Sequence, residues 1–278
     1  MPSNREEYFR LLKLENKYLT KSVIVSLLMD ANDIEDRMAF YTHFNDEVKN
    51  LAKLQQNSER VAYGEPLQYV LGYSFFLGHK VMVTPDVLIP RQETEQLVIE
   101  TTLYIKKLYN GEEDFVLADV ATGSGCIALA MKEQFKGSEV FASDISTSAI
   151  EVAKKNFKGK NIQVLHGNLL DPFIEKGIKL DVLMCNPPYI GNEATIDEQT
   201  WNYEPHLALL ANPKTKFYEE IFKKMPYVMN EIHYLATFEI GEDMDEEITD
   251  LVEKYFKEVR YKIGKDMYGK SRFLYIIK

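Results

Sequence analysis

The segment FVLADVATGSG, residues 115–125, decides the fold of this chain. Its apolar first half predicts a buried strand over residues 115–120. The small residues that follow allow a tight turn and leave free backbone N–H groups at the start of a helix predicted over residues 126–135. The segment therefore predicts a strand, a loop that a ligand can approach closely, and a helix. A tight turn without a ligand is the alternative.

Strands and helices keep alternating beyond this segment. Further strands are predicted over residues 139–143, 162–165, 180–185 and 233–239, and helices over residues 148–157, 217–229 and 244–256. Such alternation at short spacing implies right-handed crossovers and a parallel sheet with helices on both faces. Two last strands, residues 259–263 and 272–277, are joined by a turn and predict a closing antiparallel hairpin. The fold class is therefore α/β with a mostly parallel sheet.

Polar residues stand at the ends of the next two predicted strands. Asp144 lies nineteen residues after Gly125, where a doubly wound sheet holds an acceptor for ribose hydroxyls. An aspartate that caps the next helix is the alternative. Asn168 could meet the amino group of an adenine, and Leu169 could cover its ring. The glycine loop lacks the third glycine of the dinucleotide fingerprint, which disfavours a nicotinamide dinucleotide and leaves an adenosyl group as the expected guest.

The tetrapeptide Asn186-Pro187-Pro188-Tyr189 ends the fourth strand. Two consecutive prolines cannot continue a hydrogen-bonded ladder, so they form a rigid shelf. On this shelf the carboxamide of Asn186 and the carbonyl of Pro187 can accept both N–H bonds of a planar NH2 group, while Tyr189 offers a ring face. An ordinary turn is the alternative. The position at a strand end favours a holder for an amide or an exocyclic amine.

The N-terminal part of the chain has a different pattern. Residues 1–72 carry apolar side chains near helical spacing and predict several short amphipathic helices. Residues 73–90 predict a β-hairpin around Gly78 that links these helices to a new helix over residues 93–108. We therefore expect a small helical domain over residues 1–72, a hairpin linker over residues 73–90 and an α/β domain over residues 91–278.

Composition and charge limit the class of protein. The chain is 45% hydrophobic and 27% charged, as globular proteins are. Its net charge of −10 argues against a protein whose main task is to grip DNA phosphates. Two cysteines and five histidines show no ligand spacing, so no metal is predicted. The polar N-terminus resembles no secretory signal and no apolar run is long enough for a membrane span, so a cytoplasmic location without a membrane partner is expected.

The chain resembles class I S-adenosylmethionine-dependent methyltransferases, and within them the HemK-like protein-(glutamine-N5) methyltransferases that modify peptide-chain release factors. The resemblance spans nearly the whole chain and is carried by residues 66–72, 87–95, 119–125, 186–189, 203–205 and 265–272, of which the first two segments are the most specific. It implies a Rossmann-like class I methyltransferase domain over residues 91–278. It also implies that residues 1–72 recognise the substrate.

The resemblance implies a role for each strand end. Ala121, Thr122, Gly123, Ser124 and Gly125 would wrap the methionine end of S-adenosylmethionine, Asp144 would bind the ribose, and Asn168 with Leu169 the adenine. Asn186 would also bind the cofactor, and with Pro187, Pro188 and Tyr189 it would hold the substrate glutamine. Of these, Asn186, Pro187 and Tyr189 would act in catalysis. Three positions depart from the family pattern, since Ala121, Gln92 and Asn168 stand where glycine, proline and aspartate are common.

The implied substrate is the glutamine of the Gly-Gly-Gln loop in a class 1 peptide-chain release factor. The methyl donor would leave as S-adenosylhomocysteine, and no direct nucleic-acid partner is expected. The closest alternative is a methyltransferase for adenine N6 in DNA or RNA, because an exocyclic amine fits the same holder. The acidic charge and the segments around Pro66 and Arg91 favour a protein glutamine. A cofactor-binding scaffold without activity is a third possibility, which the complete set of strand-end residues disfavours.

Overall fold

The computed structural model describes residues 1–278 and separates into two compact units, Met1–Tyr73 and Ser74–Lys278. The first unit contains five helices: α1 (Asn4–Leu12), α2 (Lys21–Ala31), α3 (Arg37–Thr42), α4 (Leu51–Ala62) and α5 (Leu67–Leu71). Ser3 and Glu6 form a capping box that fixes the start of α1. Apolar side chains from these helices form one core, and among them Leu28, Phe40 and Leu54 are completely buried.

The second unit is built on a seven-stranded sheet. Its strands are β3 (Val116–Val120), β4 (Glu139–Asp144), β5 (Ile162–His166), β6 (Val182–Cys185), β7 (Leu235–Glu239), β8 (Arg260–Lys265) and β9 (Ser271–Ile277). They lie in the order β5-β4-β3-β6-β7-β9-β8. The first five strands of this order are parallel, and β9 is antiparallel to both β7 and β8. This confirms the predicted fold class, a mostly parallel sheet with a closing antiparallel hairpin.

Helices cover both faces of this sheet. The helices of this unit are α6 (Gln92–Leu108), α7 (Cys126–Gln134), α8 (Thr147–Asn156), α9 (Asp171–Lys176), α10 (Glu198–Tyr203), α11 (Lys216–Val228) and α12 (Asp245–Tyr255). Successive residues of β6 belong to opposite cores: Leu183 packs in one and Met184 in the other. Burial on both faces explains why these strands are continuous apolar runs in the sequence. None of the helices has the length and apolar character needed to span a membrane.

The strand order reverses between β3 and β6. From β3 the chain proceeds outward through β4 and β5, and it then returns to the other side of β3 to form β6 and β7. The register pairs Val120 with Cys185, so the glycine loop and the tetrapeptide begin side by side at the carboxyl edge. A reversal of this kind opens a crevice where ligands of open α/β sheets bind.

The predicted hairpin consists of β1 (Tyr73–Phe76) and β2 (His79–Met82). Its residues Phe76 and Val81 are buried in the core that also contains residues of α6 and α7. The side chain of Asn156, at the end of α8, accepts from Met82 N at 2.8 Å and donates to Met82 O at 3.0 Å and to Ser124 O at 2.8 Å. The hairpin is thus packed on the sheet unit and bonded to the glycine loop through one carboxamide.

Candidate active site

A cavity opens at the reversal between β3 and β6. Its empty volume is about 1130 Å³ with the open mouth included, which suits a small-molecule site. Nine predicted residues line it: Ala121, Thr122, Gly123, Ser124, Asp144, Asn168, Leu169, Asn186 and Pro188. The structure thus brings the four strand ends together, whereas Gly125, Pro187 and Tyr189 do not belong to the lining.

The glycine loop owes its shape to left-handed backbone conformations. Ala121, Gly123 and Gly125 have φ values of +58°, +53° and +83°. A Cβ on Gly125 would lie 2.5 Å from Cζ of Phe157, so this position has no room for a side chain. A Cβ on Gly123 would meet no atom within 4 Å. Ala121 holds a conformation that costs a residue with a Cβ about 1–2 kcal/mol, which explains why glycine is common there in the family pattern.

Asp144 lines the cavity and does not cap α8, whose N-cap is Ser146. Its Oδ1 accepts from Ser146 N at 2.9 Å, next to the cap of α8, and its Oδ2 accepts from Gly123 N at 2.9 Å. A carboxylate has about four acceptor sites, so both oxygens can still accept from a ligand. Burial raises the pKa of Asp144 above its ordinary value, although the backbone donors counter this. The carboxylate therefore ties the glycine loop to β4 while it lines the cavity.

Asp119, the acidic residue inside β3, lies beneath the loop and was assigned no role from the sequence. Its Oδ2 accepts from Thr122 Oγ1 at 2.5 Å and from Ala128 N at 3.0 Å, which joins strand, loop and helix. Its Oδ1 is buried without a hydrogen-bond partner in the chain. Burial raises the pKa of Asp119 to about 7. An acidic residue in an otherwise apolar strand was the signal that could have identified it.

The third strand end contributes an amide and an apolar side chain. The backbone carbonyl of Asn168 accepts from Asp171 N at 3.0 Å, which leaves its side chain to line the cavity. Leu169 has a φ of +50° and packs against the core while one side faces the cavity. A free carboxamide beside an apolar wall suits a flat heterocycle with polar edge groups.

The tetrapeptide is held by long-range hydrogen bonds. Asn186 Nδ2 donates to Thr94 Oγ1 at 3.1 Å, and no hydrogen bond within the chain reaches Asn186 Oδ1. The carbonyl of Pro187 likewise accepts no backbone N–H. The hydroxyl of Tyr189 donates to Glu239 Oε1 at 3.0 Å, and burial followed by the charge of Glu239 raises the pKa of this phenol. Two acceptors therefore remain unused at the strand end, next to a tyrosine that stays neutral.

Thr94 and Glu239 were not identified as site residues from the sequence. Glu239 ends β7, is 3% exposed, and accepts from Thr94 Oγ1 through Oε2 at 2.6 Å. Burial raises the pKa of this carboxyl group, and its hydrogen bonds from Thr94 and Tyr189 oppose the rise. The available signals were an acidic residue at the end of an apolar strand and a threonine within the motif of residues 87–95.

An ion pair forms another wall of the cavity. The guanidinium of Arg91 pairs with Glu204 Oε1, and Glu204 Oε2 accepts from Ile89 N at 3.0 Å. Glu204 is buried, so the pair fixes two segments that lie more than a hundred residues apart. Arg91 lines the cavity together with Pro205 and Leu207. These contacts give a structural reason for the motifs of residues 87–95 and 203–205.

Comparison with known proteins identifies relatives of this chain. A family model described as methyltransferase small domain matches residues 95–203. The release factor glutamine methyltransferase of Bacillus subtilis (strain 168) is 33% identical over 275 residues, which cover 95% of each chain. The protein of the same name from Staphylococcus aureus (strain NCTC 8325 / PS 47) is 34% identical over 86% of each chain.

A solved structure shows the same fold at low sequence identity. The hMettl16 catalytic domain in complex with the MAT2A 3'UTR hairpin 1 has a TM-score of 0.54 and 15% identity, covering 97% of this chain and 90% of that one. This likeness concerns the fold alone. The sequence similarity over nearly the full length is decisive, and the chain belongs to the family of release factor glutamine methyltransferases.

Proposed function

We propose that this chain transfers a methyl group from S-adenosylmethionine to the side-chain nitrogen N5 of a glutamine in a class 1 peptide-chain release factor. The target is the glutamine of the Gly-Gly-Gln loop. The observation that carries the proposal is the unused pair of acceptors, Asn186 Oδ1 and the Pro187 carbonyl, at the strand end beside the glycine loop. The names of the family relatives support the choice of substrate.

The cavity has groups that suit the methyl donor. The open space at Gly123 leaves room for a chain to pass close to the backbone. We assign Asp144 to the ribose hydroxyls and Asn168 with Leu169 to the adenine, with residues 121–125 around the methionine end. When bound, the donor supplies an electrophilic methyl group on a sulfonium.

The tetrapeptide prepares the acceptor nitrogen. An amide nitrogen is a weak nucleophile because its lone pair is delocalised into the carbonyl. When Asn186 Oδ1 and the Pro187 carbonyl accept both N–H bonds, they increase the electron density on nitrogen and fix the direction of its lone pair. Pro188 keeps the shelf rigid. Such alignment of reacting groups can lower the barrier by about 7–11 kcal/mol at most.

We assign no general base to this reaction, so the proton that the amide nitrogen loses as it gains the methyl group passes to solvent. The pKa of Tyr189 is raised and its hydroxyl donates a hydrogen bond to Glu239. The phenol therefore stays neutral and cannot act as a base toward the substrate. Its part is to hold the tetrapeptide in place and present a ring face. We assign the helical unit of residues 1–72 to recognition of the release factor outside the target loop, and the sheet unit to the transfer itself. We also propose that the reaction takes place in the cytoplasm.

A mass measurement tests the proposal directly. The purified chain is incubated with a class 1 release factor and S-adenosylmethionine, and the tryptic peptide that contains Gly-Gly-Gln is analysed. We expect that peptide to gain one methyl group on its glutamine side chain. A release factor with glutamate at the target position serves as the control and should gain none. If DNA or RNA is added and the methyl group appears on its adenine instead, the substrate assignment is wrong.

A further inference from the structure

Glu239 is a fully enclosed carboxylate that the proposed transfer does not use. It ends β7, one residue beyond the pair that aligns Phe238 with Cys185, and so it lies beside the start of the tetrapeptide. Its Oε2 accepts from Thr94 Oγ1 at 2.6 Å and its Oε1 accepts from the hydroxyl of Tyr189 at 3.0 Å. One carboxylate thus bonds to Tyr189 directly and to Asn186 through Thr94.

The chemistry of these groups fixes the direction of each hydrogen bond. Both oxygens of Glu239 accept in the structure, so the single proton of the Thr94 hydroxyl points to Glu239. The Thr94 oxygen then has only acceptor capacity left for Asn186. The NH2 end of the Asn186 carboxamide must therefore face Thr94, as the 3.1 Å contact from Nδ2 shows. The oxygen end is left for the substrate.

Burial is the largest influence on Glu239 and raises its pKa, whereas the polar groups around it favour the ionised form. Thr94 and Tyr189 donate to its two oxygens, and the positive charge of Arg272 acts on it as well. Arg272 is itself held by Asp266 at 3.4 Å. Burial and the charge of Glu93 act in the opposite direction. Arg272 belongs to the motif of residues 265–272, for which no role was predicted.

We propose that Thr94 and Glu239 are positioning residues that keep the oxygen of the Asn186 carboxamide turned toward the substrate. The site then accepts a side chain that ends in an NH2 group and disfavours one that ends in a carboxylate. This inference rests on the proposed function, because it assumes that Asn186 holds the amide of the target glutamine. Without the two residues the carboxamide is free to rotate and to present its NH2 group instead.

Thr94→Val tests the inference, because it keeps the shape of the side chain and removes the hydroxyl. We expect kcat for release-factor methylation to fall about 10- to 100-fold, as when a supporting partner of a site residue is lost. Donor affinity, measured by calorimetry, should stay close to the wild-type value. Thr94→Ser keeps the hydroxyl and should restore most of kcat.

Thr101→Val is the matched control on the same helix. The hydroxyl of Thr101 lies 3.2 Å from that of Thr237, is buried, and is part of neither the cavity lining nor the tetrapeptide contacts. The variant loses a buried hydrogen bond of comparable kind and should keep wild-type kcat. If Thr94→Val and Thr101→Val change kcat equally, Thr94 is a structural residue and the inference is wrong.

A second readout reports the orientation of the carboxamide itself. A release factor with glutamate in place of the target glutamine is used as a competitive inhibitor. We expect it to inhibit Thr94→Val about tenfold better, relative to the wild type, because a rotated Asn186 can donate to the carboxylate. Unchanged discrimination between glutamine and glutamate contradicts the inference.

Glu239→Gln provides an independent variant if Thr94→Val does not fold. A glutamine can donate to Thr94, which frees the threonine hydroxyl to donate to Asn186 and reverses the carboxamide. We expect the same loss of kcat with donor binding retained, and wild-type kcat in this variant overturns the inference. If the wild-type chain methylates no release-factor glutamine, the proposed function itself fails, which is a distinguishable result.

Discussion

The cavity has two ends that are built by different means. At the glycine-loop end, residues 121–125, the backbone N–H of Gly123 bonds to Asp144, which is 21 residues away. At the tetrapeptide end, residues 186–189, the side chain of Asn186 bonds to that of Thr94, 92 residues away, and Tyr189 bonds to Glu239 across 50 residues. One end depends on local backbone conformation, and the other on side chains brought together by the fold. We therefore expect the first to be sensitive to added atoms and the second to lost polar groups.

The largest effect should follow loss of the polar group at the tetrapeptide end. Asn186→Ala removes the acceptor for the amide and should lower turnover by about 10²–10³-fold or more, as when a transition-state hydrogen-bonding group is deleted. Methyl transfer in a single turnover is the measurement, with circular dichroism to verify the fold. Asn168→Ala is the control, since it removes the same side chain near the other end and should raise the KM for the donor without abolishing turnover. Wild-type turnover of Asn186→Ala would refute the assignment.

The next largest effect should be a loss of stability when one methyl group is added at the glycine-loop end. In Gly125→Ala the new Cβ collides with the ring of Phe157, and the alanine must adopt a left-handed backbone conformation. We expect the free energy of unfolding to fall by about 3 kcal/mol, from crowding and backbone strain together. Urea unfolding measures this change. Gly123→Ala meets no neighbouring atom, so it should lose only about 1–2 kcal/mol. Equal losses in the two variants would show that contact with Phe157 is unimportant.

The pH dependence of stability should reveal the buried carboxyl group under the loop. Burial raises the pKa of Asp119 from 3.8 to about 7, so the folded state binds a proton more tightly than the unfolded state. Its contribution to stability is full below about pH 4 and is lost as the pH rises to about 7. The Tm of the wild type minus that of Asp119→Asn should therefore decrease over this window. Asp250→Asn, an exposed substitution with the same charge change, should show no such trend; a flat difference for Asp119→Asn would contradict the proposed linkage.

The smallest effect concerns the strained alanine. Ala121→Gly relieves a left-handed conformation at φ +58° but makes the unfolded chain more flexible. The net result should be a gain of up to about 1 kcal/mol in the free energy of unfolding. Ala128→Gly, within α7, makes the same chemical change at a buried helical position and should cost about 1–2 kcal/mol. The opposite signs can be read from urea unfolding, and a loss in both variants would mean that Ala121 is not strained.

The same contrast explains what could be predicted from the sequence. The sheet was predictable because strands such as β6 are buried on both faces and stand out as apolar runs. The convergence of Asp144 and Asn186 followed from their positions at strand ends. The bond from Asn186 to Thr94 could not be predicted, since it depends on how α6 packs beside the sheet. Helices α9 and α10 were missed because six residues are too few to show helical periodicity.

Asn156 has a consequence for how the molecule moves. A two-stranded ribbon such as the β1–β2 hairpin is marginally stable by itself in water. Here the side-chain amide of Asn156 bonds to both the N–H and the carbonyl of Met82, as the backbone of a neighbouring strand would. The same amide holds the carbonyl of Ser124. The ribbon and the glycine loop are therefore joined through one side chain, and we expect their motions to be coupled. Opening of the ribbon would remove two of the three hydrogen bonds that orient the Asn156 carboxamide, so the donor of the glycine loop would be held less firmly.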